Sequence, residues 1–127
     1  MAPPLPKAYD DDNIFAKILR GEIPCDKVYE NDHALAFKDI APQAPTHVLV
    51  IPKGKYISFE DFSRNASDEE IAGFVRAAGE VARGSEGAVE RGFRILANHG
   101  PEANQEVYHF HLHIFAGRDT GPMISQC

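Results

Sequence analysis

The sequence predicts an α+β domain built on an antiparallel sheet, and three stretches carry that prediction. Polar and apolar residues alternate from Tyr108 to Phe115, the period of a β-strand. Thr46-His47-Val48-Leu49-Val50-Ile51 is the strongest β-forming run in the chain and reads as a central strand ended by Pro52. Ile71, Phe74, Val75, Ala78, Val81 and Ala82 recur at helical spacing behind a Ser67/Glu70 capping box, which predicts one long helix with that face in the core.

The remaining elements follow in chain order. Residues 1–12, rich in Pro and Asp, read as a disordered arm without an apolar signal region. Asp10-Asp11-Asp12 within it is a solvated acidic segment. Asn13 caps a short helix with the stripe Ile14, Phe15, Ile18 and Leu19; Gly21 ends it and Pro24 blocks its continuation. Lys27–Glu30 and Ala34–Lys38 form a hairpin around Asn31-Asp32-His33. Two prolines fix the loop from Asp39 to Pro45. Gly54 to Ala66 reads as irregular, Gly84 and Gly87 release the long helix, and Phe93–Ala97 is a further strand. No repeat or linker divides the chain, so residues 13–123 form one domain and 124–127 a tail.

Composition narrows the function. The chain has 127 residues, enough for one sizeable core, and a formal net charge of −6. That charge argues against binding a nucleic-acid polymer, which needs a basic face, but leaves room for a small nucleotide in a locally positive site. No apolar run reaches membrane-spanning length. Cys25 and Cys127 have neither metal nor redox spacing, which fits reduced thiols in a cytoplasmic protein.

Chemistry concentrates near the C-terminal end. His109, His111 and His113 are three of the six histidines, and the alternation puts them on one strand face opposite Tyr108, Phe110, Leu112 and Ile114. Strand neighbours two apart sit roughly 6.5–7 Å from each other, so the imidazoles can converge on a phosphate or a metal ion. They can bind metal, with His47 as a fourth ligand, or supply a nucleophile flanked by donors. As nucleophile the central His111 must be neutral, with one ring nitrogen holding a proton and the other free. The loop from Asn98 to Asn104 could offer backbone N–H groups to an anion, Asp39 could accept from a sugar diol, and Glu106 flanks the triplet as a possible proton donor.

These residues resemble the histidine-triad (HIT) family, whose pattern His-x-His-x-His followed by two apolar residues stands here as His109-Phe-His111-Leu-His113-Ile-Phe115. The segments Ile14-Phe15…Ile18…Gly21-Glu22-Ile23-Pro24, Ala36 to His47, and Gln105 to Arg118 are similar to the Hint branch, the nucleoside phosphoramidate hydrolases. The resemblance implies a HIT-like fold, an antiparallel sheet with one long and one short helix, joined to a second sheet across a homodimer. It implies a hydrolase that needs neither metal nor organic cofactor. His111 would attack the α-phosphorus of a purine nucleoside 5′-phosphoramidate (AMP or GMP type), and water would resolve the nucleotidyl-histidine. The resemblance places His113 and Asn98 at the phosphate, with Gln105 beside it, and His47 and His109 complete the histidine set. Asp39 would bind ribose, and Ile14, Phe15, Ile18, Phe37 and Ile40, with Val107, would line the nucleotide pocket. Relatives often carry a hydroxyl residue where Glu106 stands and Gly-Gly where Ala103-Asn104 stands; the tail resembles the Gly-Pro-Met ending of bacterial members. A dinucleoside polyphosphate hydrolase and a non-catalytic zinc- or nucleotide-binding module are the competing readings.

Overall fold

The computed structural model describes residues 3–125; Met1 at the head of the arm and Cys127 in the tail lie outside the described residues. Five strands pair antiparallel throughout: β1 (Lys27–Glu30), β2 (Ala34–Lys38), β3 (Thr46–Pro52), β4 (Arg94–Leu96) and β5 (Leu112–Ala116), in the order β1-β2-β3-β5-β4. The predicted hairpin is present. Asn31 turns it by accepting from the N–H groups of His33 and Ala34, at 2.9 Å each.

The sheet separates two apolar layers. On one side α3 (Asp68–Gly84) packs Phe74, Ala77 and Val81 against Ala34, Ala36, Val48, Val50, Phe110 and Ile114. On the other side α1 (Ile14–Leu19) sets Phe15 against Leu35, Phe37, Leu49 and Ile51. Asn13 accepts from Ala16 N–H, and the full Ser67/Glu70 capping box starts α3, as the sequence predicts. Gly21 takes a left-handed φ of 78° where the chain leaves α1. No helix is long and apolar enough to cross a membrane among the described residues.

Five expectations differ from the structure. The stretch read as irregular contains α2 (Phe59–Asn65), which has acidic Glu60 and Asp61 in its first turn, Arg64 in its last, and Phe62 buried. A second short helix, α4 (Ala88–Arg91), follows α3, so the helices are more than one long and one short. On α3, Val75 faces solvent at 61% exposure, while Ala77 is fully buried in its place.

The histidine strand is also shorter than its alternation. Pairing between β3 and β5 ends at Val50↔Leu112. Two steps on, the β3 partner is Pro52, which has no N–H for the ladder. Its carbonyl instead accepts from the His109 ring at 2.8 Å. Residues 105–111 therefore approach the sheet as an extended loop. The alternation survives as a division of faces: Phe110 and Ile114 join the α3 layer, while the histidines lie on the α1 side. Tyr108 departs from it, half-buried with its hydroxyl donating to Pro3 O.

The arm predicted to be disordered lies against the domain from residue 3 onward. Lys55 pairs with Asp11 at 2.7 Å, Arg20 donates to the Asp11 carbonyl at 2.8 Å, and Tyr9 reaches the histidines.

Candidate active site

A cavity of about 600 Å³ opens on the α1 side of the sheet. Helix α1 contributes Ile14, Phe15 and Ile18 to its wall, β2 contributes Phe37 and Lys38, and β5 contributes His113. Asp39, Ile40, Glu106, Val107 and His111 complete the predicted set that lines it. Ile40 is 96% exposed at the mouth, an apolar surface left to cover a flat ligand. Of the predicted site residues, His47, His109, Asn98 and Gln105 do not line the cavity.

Those four divide by what holds them. Gln105 is buried with all its amide atoms committed: Oε1 accepts from Gly100 N–H at 3.0 Å, and Nε2 donates to Ile57 O at 2.8 Å and Val107 O at 3.0 Å. It braces the loop that delivers Glu106 and Val107. Asn98 is half-buried in the loop that follows β4. Within the next turn Asn104 adopts the left-handed conformation at φ 60°, which Asn tolerates better than most residues with a Cβ.

The hydrogen bonds fix the tautomer of each site histidine. His111 Nδ1 lies 2.8 Å from the carbonyl of His109, and a carbonyl only accepts, so Nδ1 carries the proton and Nε2 is left unprotonated. His47 Nδ1 accepts from the Gln43 N–H at 3.1 Å, so the proton of a neutral His47 sits on Nε2. That Nε2–H faces His113 Nδ1 at 3.0 Å, with Asp39 Oδ2 at 3.5 Å. His113 consequently holds its own proton on Nε2. His109 donates from Nε2 to Pro52 O and accepts at Nδ1 from the Tyr9 hydroxyl at 2.6 Å.

Burial keeps all four rings neutral. Desolvation drives His109 down to about 4, against the opposing bond to Pro52 O. It drives His113 to about 4 as well, helped by neighbouring His111 and His47. His111 and His47 are also lowered by burial; the His109 carbonyl opposes the shift at His111 and the Asp39 carboxylate opposes it at His47. Ring contacts set orientation: Phe15 meets His111 edge-on at 5.0 Å, and His113 stacks on Phe115 at 5.7 Å with an interplanar angle of 1°.

A metal fits this donor set poorly. Asp39, His47 and His113 are the one group of three potential ligands that converges, within 4.8 Å, among the described residues. The His47 nitrogen facing the other two carries a hydrogen, because its partner nitrogen is occupied by Gln43 N–H. Both nitrogens of His109 are also engaged, so the triplet and His47 do not present four lone pairs to one point. The site instead presents an unprotonated ring nitrogen, His111 Nε2, and the Nε2–H of His113 to a largely apolar cleft.

Several contributors were not singled out from the sequence. The Gln43 role belongs to its backbone N–H, which no residue type reveals. Ile23, Pro24 and Cys25 also line the cavity; their apolar character in the segment after Gly21 was the available signal.

A HIT domain family model matches residues 20–120. The chain is 65% identical to a HIT-like protein of Azospirillum brasilense over 120 residues, covering 94% of this chain and 98% of that one. It is 43% identical to the purine nucleoside phosphoramidase of Escherichia coli over 116 residues, 91% and 95% of the two chains. A crystal structure of a HIT family hydrolase from Legionella pneumophila superposes with a TM-score of 0.79 at 41% identity, covering 87% of this chain and 96% of that one. With the triad, the sheet and the match over residues 20–120 in agreement, the chain belongs to the HIT domain family.

Proposed function

We propose that the protein hydrolyses the P–N bond of purine nucleoside 5′-phosphoramidates, as a Hint-type hydrolase. The observation that carries this reading is the fixed His111 tautomer, which leaves Nε2 unprotonated at the wall of a nucleotide-sized cavity. His111 Nε2 attacks the α-phosphorus, the P–N bond breaks, and the amine leaves after taking a proton. Water then attacks the nucleotidyl-histidine, releasing nucleoside monophosphate and restoring His111. His113 Nε2–H donates to the phosphoryl oxygens, where negative charge builds up in the transition state. Amine departure needs an acid, and Glu106, exposed at the mouth, is the candidate. Asp39 takes the ribose hydroxyls, and Ile14, Phe15, Ile18, Phe37, Ile40 and Val107 enclose the base. Gln105 supports the site by bracing the approach to it, and a phosphate role for Asn98, which lies outside the cavity wall, rests on the family resemblance alone. The name borne by the Escherichia coli relative supports the substrate class.

We further place the protein in the cytoplasm as a homodimer. Strand β4 is a sheet edge, and exposed Val75, Phe59 and Ile95 surround an apolar cleft of about 350 Å³ beside it, which supports pairing with a second copy.

The test is hydrolysis of adenosine 5′-phosphoramidate by wild type and His111→Ala, each with and without a chelator. Chelator-resistant turnover that vanishes in the variant, with AMP binding retained, is the expected result. Near-normal turnover by His111→Ala would refute the nucleophile, and loss to chelator would refute the metal-free chemistry.

A further inference from the structure

We propose that the N-terminal arm is part of the catalytic apparatus, with Tyr9 acting as a positioning residue that orients the nucleophile His111 through His109. The inference rests on the reading of His111 as nucleophile. Tyr9 donates its hydroxyl to His109 Nδ1 at 2.6 Å, and the two rings meet edge-on with centroids 5.6 Å apart. His109 is wholly buried, and among the described residues no carboxylate bonds to it. Its ring is held by Tyr9 at Nδ1 and the Pro52 carbonyl at Nε2. The Pro52 carbonyl only accepts, so the His109 proton sits on Nε2, and the Tyr9 hydroxyl donates to the lone pair left on Nδ1 and holds the ring in its orientation. With side chain and sheet thus joined, the backbone of His109 is fixed, and its carbonyl is the acceptor that keeps the proton of His111 on Nδ1. The path is Tyr9 O–H to the His109 ring, His109 carbonyl to His111 Nδ1, and His111 Nε2 to the substrate.

Four further contacts hold the arm in place. Asp11 pairs with Lys55 and receives Arg20 at its carbonyl, and Asn13 N–H bonds to the Asp10 carbonyl at 3.2 Å. Tyr108, next to His109, donates to Pro3 O. The arm therefore straps His109, the member of the triad that does not line the cavity.

Tyr9→Phe keeps the ring and removes only the donor. In the full chain, with histidine ring nitrogens labelled with 15N, the His109 Nδ1 signal should shift as its hydrogen bond is lost, and the His111 Nδ1–H signal should broaden or shift. In steady state kcat should fall about tenfold with KM for the nucleotide unchanged, the size of effect expected when one hydrogen bond that orients a reacting group is lost. Tyr9→Ala, which also removes the ring packing, should lower kcat further. A Tyr9→Phe variant with wild-type His109 and His111 ring signals would overturn the proposal, whatever the kinetics. Changed ring signals with unchanged kcat would equally overturn it, because the strap would then be structural only. The ring signals need no substrate, so this result is separable from failure of the phosphoramidase reading, which would appear as inactive wild type.

Discussion

Replacing His47 with Phe tests the assignment of His113 as the phosphoryl donor. The substitution keeps a ring over Phe115, whose centroid lies 4.2 Å from that of His47, and so preserves packing. It deletes the Nε2–H that meets His113 Nδ1 at 3.0 Å and the acceptor for Gln43 N–H at 3.1 Å. A net hydrogen bond contributes about 1 kcal/mol, so the preference of His113 for the Nε2–H tautomer weakens by about fivefold. Complete loss of a transition-state donor costs about 10²–10³ in kcat, which sets the ceiling. We expect kcat to fall about tenfold, between these bounds, with little change in KM. The assay is steady-state hydrolysis of adenosine 5′-phosphoramidate by wild type, His47→Phe, His113→Ala and the double variant. If His47 acts through His113, His47→Phe has no further effect on kcat in the His113→Ala background. Full additivity of the two losses, or an effect of His47→Phe confined to KM, would refute the coupling.

Stability should depend on pH in a defined direction. His109 and His113 bind protons only near pH 4 in the folded protein but near 6.5 when unfolded, because burial disfavours their charged forms. The unfolded state thus holds more protons between these values, and stability is full above about pH 6.5 and falls as pH drops toward 4. His109 alone contributes a loss of about 1.5 kcal/mol between pH 6.5 and 5, a window above the ordinary carboxylate range. Urea midpoints that stay flat across that window would contradict the buried neutral state. Gln105→Met leaves Gly100 N–H and the carbonyls of Ile57 and Val107 without partners and should cost about 3 kcal/mol in urea unfolding; a cost below about 1 kcal/mol would mean water replaces the amide.

Local signals in the sequence were reliable where one element settles its own limits. The bounds of β1 and β2, the Asn13 cap and the Ser67/Glu70 box follow from turn and cap residues acting within a few positions. The histidine run shows what periodicity cannot supply. Alternation assigns faces, but a strand needs a partner, and Pro52 removes that partner two residues before the alternation would require it. Helix α2 escaped notice because its one buried side chain, Phe62, has no companion within the helix, so it lacks the apolar stripe that marks the shorter α1. The cavity wall was legible mainly through the resemblance to the HIT family, which implied Ile14, Phe15, Ile18, Phe37, Asp39 and Ile40 there. The tautomers were not, since they depend on Gln43 N–H and Pro52 O, whose proximity arises only on folding.

The contact between Tyr9 and His109 spans 100 positions of the chain, and that between Pro3 and Tyr108 spans 105. During synthesis at about 5–20 residues per second, the arm leaves the ribosome about 5–20 s before the residues it fastens. Strand β5, which flanks the central β3, is made in the same late interval. A nascent chain stalled anywhere before His109 therefore has its first residues waiting without a dock and its sheet open at the centre. Under the proposed mechanism, a product truncated before His111 would carry the α1 wall of the cavity but not the proposed nucleophile.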